Sequence, residues 1–512
     1  MGVETLARAV LASCILACGT PSDASPIPSS PPAAVVSDPS SSLPMPDGSV
    51  ATVASSSTRP PSSARVRPAA EHLFFKARLL INPGPGPGPG TTIEHAIIET
   101  SGGKILRVGK AETLSIPAGA NVMDFSDKVV IPGLVDAHGH LYTRLSGEWL
   151  STDRRLPTFY LAAGVTSVGD PGSMDPDADL ALRQQIDSGD APGPRYFLAG
   201  EYIQMAPTRV PWMHAVATPE EARLKVDLLA AQGAAAVKIY DQTAGDVMLA
   251  AVDEAHEHGM RVWAHVGAVT WRQAMDMGVD QLFHGVTAMP DGRAPGSTPA
   301  DYATWAKETA SLDLSRPEYQ QMFRMAAARK VVLTPTIVVS ETIGPGYDKL
   351  HHLEEQQKYY SSAGWRVVQD IEQGRSDAFA KFPVEAVRME IPKNKEFVRA
   401  ARDAGCILAT GTDVVVLTML PGWSLWREMD LFAEAGLSPM DVLRAATWNG
   451  IYAIGKTDQL GSVEAGKLAD FVVLDANPLD AIANVRKVHR VVKAGVIYDP
   501  QQLLKPMEGT VE

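Results

Sequence analysis

The chain has 512 residues, a net charge of -13, 45% apolar and 21% charged residues, and three cysteines. That length is too great for one ordinary core and fits several domains or a barrel with additions. The composition is that of a soluble globular protein. The acidic balance excludes a nucleic-acid partner, since nothing here would neutralise phosphates. Cys14 and Cys18 fall in the N-terminal segment and Cys406 far downstream, which excludes a disulfide framework and a cysteine-based zinc site. Any metal must be held by His, Asp, Glu or Lys.

Residues 1–18 read as an export signal, with Arg8 before a short apolar core, Ala9–Ala17. Ile15-Leu16-Ala17-Cys18-Gly19 has the form of a bacterial lipoprotein cleavage site, with Leu11-Ala12-Ser13-Cys14 as a competing one. The expected location is therefore exported: periplasmic, or membrane-anchored through a lipid on Cys18. No other apolar run is long enough to cross a bilayer. Residues 19–68 are dominated by Ser, Pro and Ala. They cannot bury enough surface to offset chain entropy and predict a disordered tether.

From residue 69 short β-type runs appear: Phe74–Ile81, Thr92–Glu99, Lys104–Val108 and Lys128–Ile131, with the Gly/Pro repeat Pro83–Gly90 as a loop. Similar runs return at Phe471–Leu474, Val488–Lys493 and Val496–Tyr498. A small β-sandwich domain composed from residues 69–130 and 455–505 is the expectation. Between them, over 131–454, apolar runs alternate with helical patterns. Eight runs stand out: Val129–His138, Val165–Asp170, Arg195–Ala199, Ala234–Tyr240, Arg261–His265, Gln281–His284, Val331–Val339 and Cys406–Asp413. Eight βα units predict an α/β fold of the (β/α)8 TIM-barrel type. A charged helical insertion, residues 350–402, fits a lid or a surface excursion.

Reactive residues of such a barrel sit where strands end on one face. Five of the runs end in residues able to bind a divalent metal. The first ends Asp136-Ala137-His138-Gly139-His140. Residues two apart on a strand point the same way, so both histidines can reach one metal. The fourth places Lys238 inside an apolar strand, where an amine is costly unless partnered or neutralised. The fifth and sixth end in His265 and His284, and the eighth in Gly411-Thr412-Asp413. Each taken alone has a bland account: turn histidines, a lysine reaching for solvent, core histidines, an aspartate capping a helix. Their joint occurrence at strand ends is what points to a metal site.

With those residues in view, the sequence resembles the amidohydrolase superfamily. The segments that carry the resemblance are Ile131 to His140, Ala163 to Asp170, Gly193-Pro194-Arg195, Gly411 to Asp413, Ala435 to Pro439 with Arg444 to Thr447, and Gly461 to Asp470. The resemblance implies two zinc ions per chain. His138, His140 and Asp413 would hold one, His265 and His284 the other, and a carboxylated Lys238 would bridge them. It further implies hydrolysis of a carbon–nitrogen bond by a shared hydroxide, with Asp413 as general acid and base. The branch resembled includes imidazolonepropionase-like proteins and metal-dependent Xaa-Pro dipeptidases, and Lys238 favours the dipeptidase side. Two features depart from it: the segment Gln204 to His214 lacks an expected Gly- and His-rich pattern, and Trp426 stands where relatives commonly carry His.

Around the site, Tyr240 is expected to face the same way as Lys238 and to bind substrate. His214, with Arg209 beside it in the same loop, is a second substrate-binding candidate. Asp136 and Asp170 are candidates for orienting a histidine. His256, His258, His351 and His352 read as surface residues and Cys406 as core. The expected substrate is a small molecule such as a dipeptide or an N-acyl amino acid. The rivals are a single-metal cyclic amide hydrolase or deaminase, a lactone or phosphoester hydrolase on the same centre, and a non-catalytic barrel that binds without turnover. A homo-oligomer is left open.

Overall fold

The computed structural model describes residues 72–511, apart from 142, 145–148, 151–154, 174, 207–213, 292–301, 343–352, 374, 376–383 and 415–418. The segment expected to be an export signal, with Cys14 and Cys18, the Ser/Pro/Ala-rich segment, Arg209, His351 and His352 lie outside the described residues.

Both ends of the described chain meet in one sheet. The N-terminal part supplies β1 (Leu73–Asn82), β2 (Thr91–Ser101), β3 (Lys104–Lys110) and β4 (Val122–Pro132). The central strands are β5 (Leu134–Asp136), a short ribbon of β6 (Thr143–Arg144) and β7 (Trp149–Leu150), β8 (Val165–Asp170), β9 (Arg195–Leu198), β10 (Ala236–Ile239), β11 (Arg261–Ala264), β12 (Gln281–Phe283), β13 (Val332–Thr334) and β14 (Ile407–Leu408). The C-terminal part adds β15 (Phe471–Leu474), β16 (Val488–Lys493) and β17 (Val496–Tyr498). The end strands form a seven-stranded sheet in the order β17-β16-β15-β4-β1-β2-β3. Side chains alternate across it with the period of two that a strand imposes. Phe471 and Val473 join Phe75, Ala77 and Val492 in a core of the sheet's own. Val472 and Leu474 turn to the opposite face and enter the main core with Val129 and Ile131.

Apart from the antiparallel β6–β7 ribbon, the central strands are short and parallel. β5, β8 and β9 form one arc, and β10 to β14 form another in sequence order. Their residues are almost all buried, as expected of parallel strands covered on both faces. Backbone bonds cross both gaps between the arcs: Ala235 N–H donates to Leu198 O and Ile203 N–H to Lys238 O on one side, Ala137 N–H to Thr410 O on the other. The end sheet is joined to the arcs by the Arg195 guanidinium, 3.1 Å from Asp470, and by Lys493 Nζ, which donates to Gly193 O at 2.7 Å.

Three sequence expectations are corrected. The run Val129–His138 is not one strand. Val129–Pro132 closes β4 of the end sheet, and the chain passes through Gly133 into β5, with no room for a side chain because a Cβ there would lie 2.0 Å from Thr166 Oγ1. Val331–Val339 keeps only Val332–Thr334 as strand and turns helical over Ile337–Thr342. The 350–402 insertion is not a surface excursion along its whole length. Its last helix, Val384–Asp403, buries Val387, Asn394, Val398 and Ala401 at helical spacing and packs beside β14. Among the described residues, no helix is long and apolar enough to cross a membrane.

Candidate metal centre

The site is assembled where β5 and β14 end side by side. Asp136, fully buried, accepts from His138 N–H at 3.2 Å, Thr412 N–H at 3.0 Å, the Thr412 hydroxyl at 2.6 Å and the Tyr160 hydroxyl at 3.3 Å. One carboxylate thereby ties the turn carrying His138 to the turn carrying Asp413. Burial pushes that carboxyl up to about 7 against the pull of these bonds. Gly411 is required for the approach, since a Cβ there would stand 2.5 Å from Thr334 Cγ2 and 2.7 Å from His138 Cβ. The chain then enters Asp413 in a left-handed conformation, φ 50°.

All six residues proposed as ligands, His138, His140, Lys238, His265, His284 and Asp413, line a single cleft, and Tyr240 lines it too. Pro171 and Tyr202 complete the wall. Asp413 Oδ1 lies 3.2 Å from His138 Nε2 and 3.1 Å from His140 Nε2, and its Oδ2 is 3.8 Å from His284 Nδ1. The rings of His138 and His284 are 4.9 Å apart, and those of His284 and His265 4.5 Å. Lys238 is buried with Nζ 4.1 Å from the Phe283 ring centroid and 5.8 Å from that of Tyr240. Tyr240 stacks on Tyr202 at 5.0 Å.

His214 is elsewhere: exposed, 3.7 Å from Glu201, and outside the cleft lining. Trp426, at the position noted as a departure, donates its indole N–H to Ala163 O and serves as packing. His256 and His258 are exposed. Cys406 is only half-buried, with its thiol directed at Phe323 O. Pro171, Tyr202 and Thr336, whose hydroxyl lies 2.9 Å from His284 Nδ1, escaped the sequence reasoning, because none carries a spacing signal.

The electrostatics favour ligand chemistry. Burial would raise the Asp413 carboxyl, but the charges and hydrogen bonds of His138 and His140 hold it well below the usual carboxylate range. Burial pushes His138 well down and His284 to about 4, despite attraction to Asp413, so both rings are neutral at pH 7. His140 moves the other way, to about 9, because bonds to Asp170 and Asp413 overcome its burial. Its Nδ1 faces two acceptors, Asp170 Oδ1 at 3.1 Å and Gly172 O at 3.2 Å, and must therefore carry the hydrogen. Nε2, 3.1 Å from Asp413 Oδ1, also carries a proton in this raised state and would give it up on binding a metal.

The segment 129–498 matches the amidohydrolase family. The chain belongs to the amidohydrolase family. It is thereby a member of a family of hydrolases that act on carbon–nitrogen bonds. The family chain is 35% identical over 104 residues to the imidazolonepropionase of Bacteroides fragilis, covering 19% of this chain and 24% of that one. It is 42% identical over 107 residues to the imidazolonepropionase of Shouchella clausii, covering 19% and 23%. The matches thus span about a quarter of the length of these curated relatives. Among solved structures it is similar to a Xaa-Pro dipeptidase with methionine bound in its active site, with TM-score 0.62, 22% identity, and coverage of 84% of this chain and 100% of that one. It is also similar to the bottromycin amidohydrolase, with TM-score 0.65, 23% identity, and coverage of 86% and 89%. These likenesses show the fold, mixed α/β and TIM-barrel-like.

The residues fit the metal that this family implies. Donor atoms of His138, His284 and Asp413 lie within 4.8 Å of one another. The 3.1 and 3.2 Å separations from Asp413 to the two histidine Nε2 atoms are near the ~3.3 Å edge of a tetrahedron with bonds of about 2.0–2.1 Å. His138 Nδ1 is buried without a hydrogen-bond partner among the described residues, a setting that tolerates a neutral imidazole and rejects a charged one.

Proposed function

We propose that this chain is a two-metal amidohydrolase that cleaves a peptide or amide bond in a small substrate, a dipeptide or an N-acyl amino acid being the first class to test. The arcs β5-β8-β9 and β10 to β14 are read as one (β/α)8 barrel, and the end sheet as its companion β-sandwich domain. The observation that carries the reading is the convergence of His138, His140, Lys238, His265, His284 and Asp413 on one buried cleft. His138, His140 and Asp413 would hold one zinc ion and His265 and His284 the second, with a carboxylated Lys238 between them. When bound, such a pair supplies an activated water and polarises the substrate carbonyl.

The remaining work falls to the chain. Asp413, strongly acidic and within reach of the His140 ring, takes the proton of the attacking water and returns it to the leaving amine. Asp136 and Asp170 hold the rings and turns that present Asp413 and His140. Lys238, dry and against two aromatic faces, suits conversion to a neutral or anionic form better than a solvated ammonium. Tyr240 and Tyr202 give the cleft an aromatic wall against which substrate packs. An exported location, anchored by lipid on Cys18, completes the reading.

A second reading has its own support. His138, His284 and Asp413 suffice for one ion, and the curated relatives above are imidazolonepropionases. A single-metal hydrolase of a cyclic amide would use the same Asp413. Metal content of wild-type and Lys238→Ala protein, followed by a screen of dipeptides and N-acyl amino acids, separates the two. About two metals per chain, falling in the variant, supports the bridged centre. About one, unaffected by the substitution, overturns it in favour of the cyclic amide.

A further inference from the structure

His140 and His284 both line the cleft, yet their Nδ1 atoms are held by different means. Two pure acceptors, Asp170 Oδ1 and Gly172 O, fix the hydrogen on His140 Nδ1. His284 Nδ1 instead faces the hydroxyl of Thr336 at 2.9 Å, and a hydroxyl donates as readily as it accepts. Which nitrogen of His284 keeps its lone pair therefore depends on where the backbone of Thr336 holds that oxygen.

That backbone is in an unusual state. Thr336 is β-branched, buried and left-handed, φ 50°, a conformation that persists only where the surroundings over-determine it. The residues immediately after it are gripped from outside. The buried carboxyl of Glu428, from helix Trp423–Glu434, accepts Ile337 N–H at 3.0 Å on one oxygen and Val338 N–H at 2.8 Å on the other. His284 is itself left-handed, φ 70°, and is braced in the same way. Asn394 Oδ1, from helix Val384–Asp403, accepts Val286 N–H at 3.0 Å, while His284 N–H donates to Thr334 O at 2.9 Å. Two strained residues thus face each other across β12 and β13, each clamped by a buried side chain of an outer helix.

We propose that Thr336, held left-handed by Glu428, is a positioning residue for His284, accepting its Nδ1–H and so keeping the Nε2 lone pair available to a metal. This rests on the metal reading above. Neither residue touches the cleft chemistry directly. Thr336 sets the tautomer and ring angle of His284, and Glu428 sets Thr336.

The test is metal affinity, not turnover. Cobalt(II) is titrated into chelator-stripped full-length chain, wild type beside Thr336→Val, Thr336→Ser and Glu428→Gln. Thr336→Val is near-isosteric but has no hydroxyl, and is expected to bind cobalt about 10–100-fold more weakly, the range for losing a ligand's outer hydrogen bond. Thr336→Ser should restore most of the affinity, and Glu428→Gln should fall in between. Wild-type affinity in Thr336→Val overturns the proposal and leaves the metal reading standing. A wild-type chain that binds no cobalt overturns both. Should Thr336→Val fail to fold, nitrogen NMR of 15N-histidine-labelled wild type decides the matter. The hydrogen on His284 Nδ1 is the expected result, and its location on Nε2 sinks the proposal.

Discussion

The end sheet and the floor of the cleft are built by opposite means within one chain. In the sheet, Phe75, Phe471, Val473 and Val492 bury apolar surface together on one face, and none of the four has a positive φ. At the cleft, Lys238, four histidines and Asp413 are buried together, and His284, Thr336 and Asp413 all adopt positive φ. The sheet is where burial yields stability. The cleft consumes some of it, since each strained residue costs on the order of 1–3 kcal/mol and each buried charge needs a partner. Asp136, Asn394 and Glu428 are the devices that let the second region exist beside the first.

Substitutions should therefore separate activity from stability along this line. The largest effect is expected at Asp413. Asp413→Asn keeps the shape and removes the proton acceptor, so turnover on any active substrate should fall about 10²–10⁴-fold. Steady-state kinetics on metal-loaded protein checks this, and a loss confined to KM would contradict the assigned role. Phe471→Ala should do the reverse. Its ring packs edge-on against Phe75 at 5.0 Å inside the sheet core, and its loss should cost about 3–5 kcal/mol of unfolding free energy. Turnover per folded molecule should be unchanged. Urea unfolding alongside active-site titration would expose any error, because a matched fall in turnover would mean the two regions are not separable.

The same division governs what the sequence could disclose. Short β-type runs such as Phe74–Ile81 and Phe471–Leu474 announced their strands because apolar, β-branched and aromatic residues bounded by turn residues fit a pleated, buried surface. Ligand candidates were legible only together, since each His, Lys or Asp at the end of an apolar run has a bland account alone and their joint occurrence at successive strand ends does not. Glu428 and Asn394 were not, since each sits in a helix whose pattern is explained by packing and meets its partner 91 or 108 residues away in sequence. Thr336 gave no sign either, because a left-handed threonine is a tertiary imposition with no propensity behind it. His214 was named for its residue type alone, and the structure places it exposed beside Glu201 and outside the cleft lining.

The smallest effect tests the joint between the two regions. Lys493, on β16, is buried with its amine on Gly193 O and beside the Arg195–Asp470 pair. Burial, with the Arg195 charge, pushes this amine down to about 8. In the unfolded chain it titrates near 10.4. Between those values the unfolded state binds more protons, so this group makes stability rise with pH across that window, and below pH 8 its contribution is flat. The folded chain carries the full penalty of a buried ammonium at neutral pH, up to about 3 kcal/mol at about 1.4 kcal/mol per unit. Lys493→Met lacks the titrating group but keeps the apolar stem. Urea unfolding of both proteins at pH 7, 8, 9 and 10 should show the wild type gaining on the variant only above pH 8. A difference that stays flat from pH 8 to pH 10 would mean that the amine reaches water, and that the joint between sheet and barrel arcs is wetter than its packing implies.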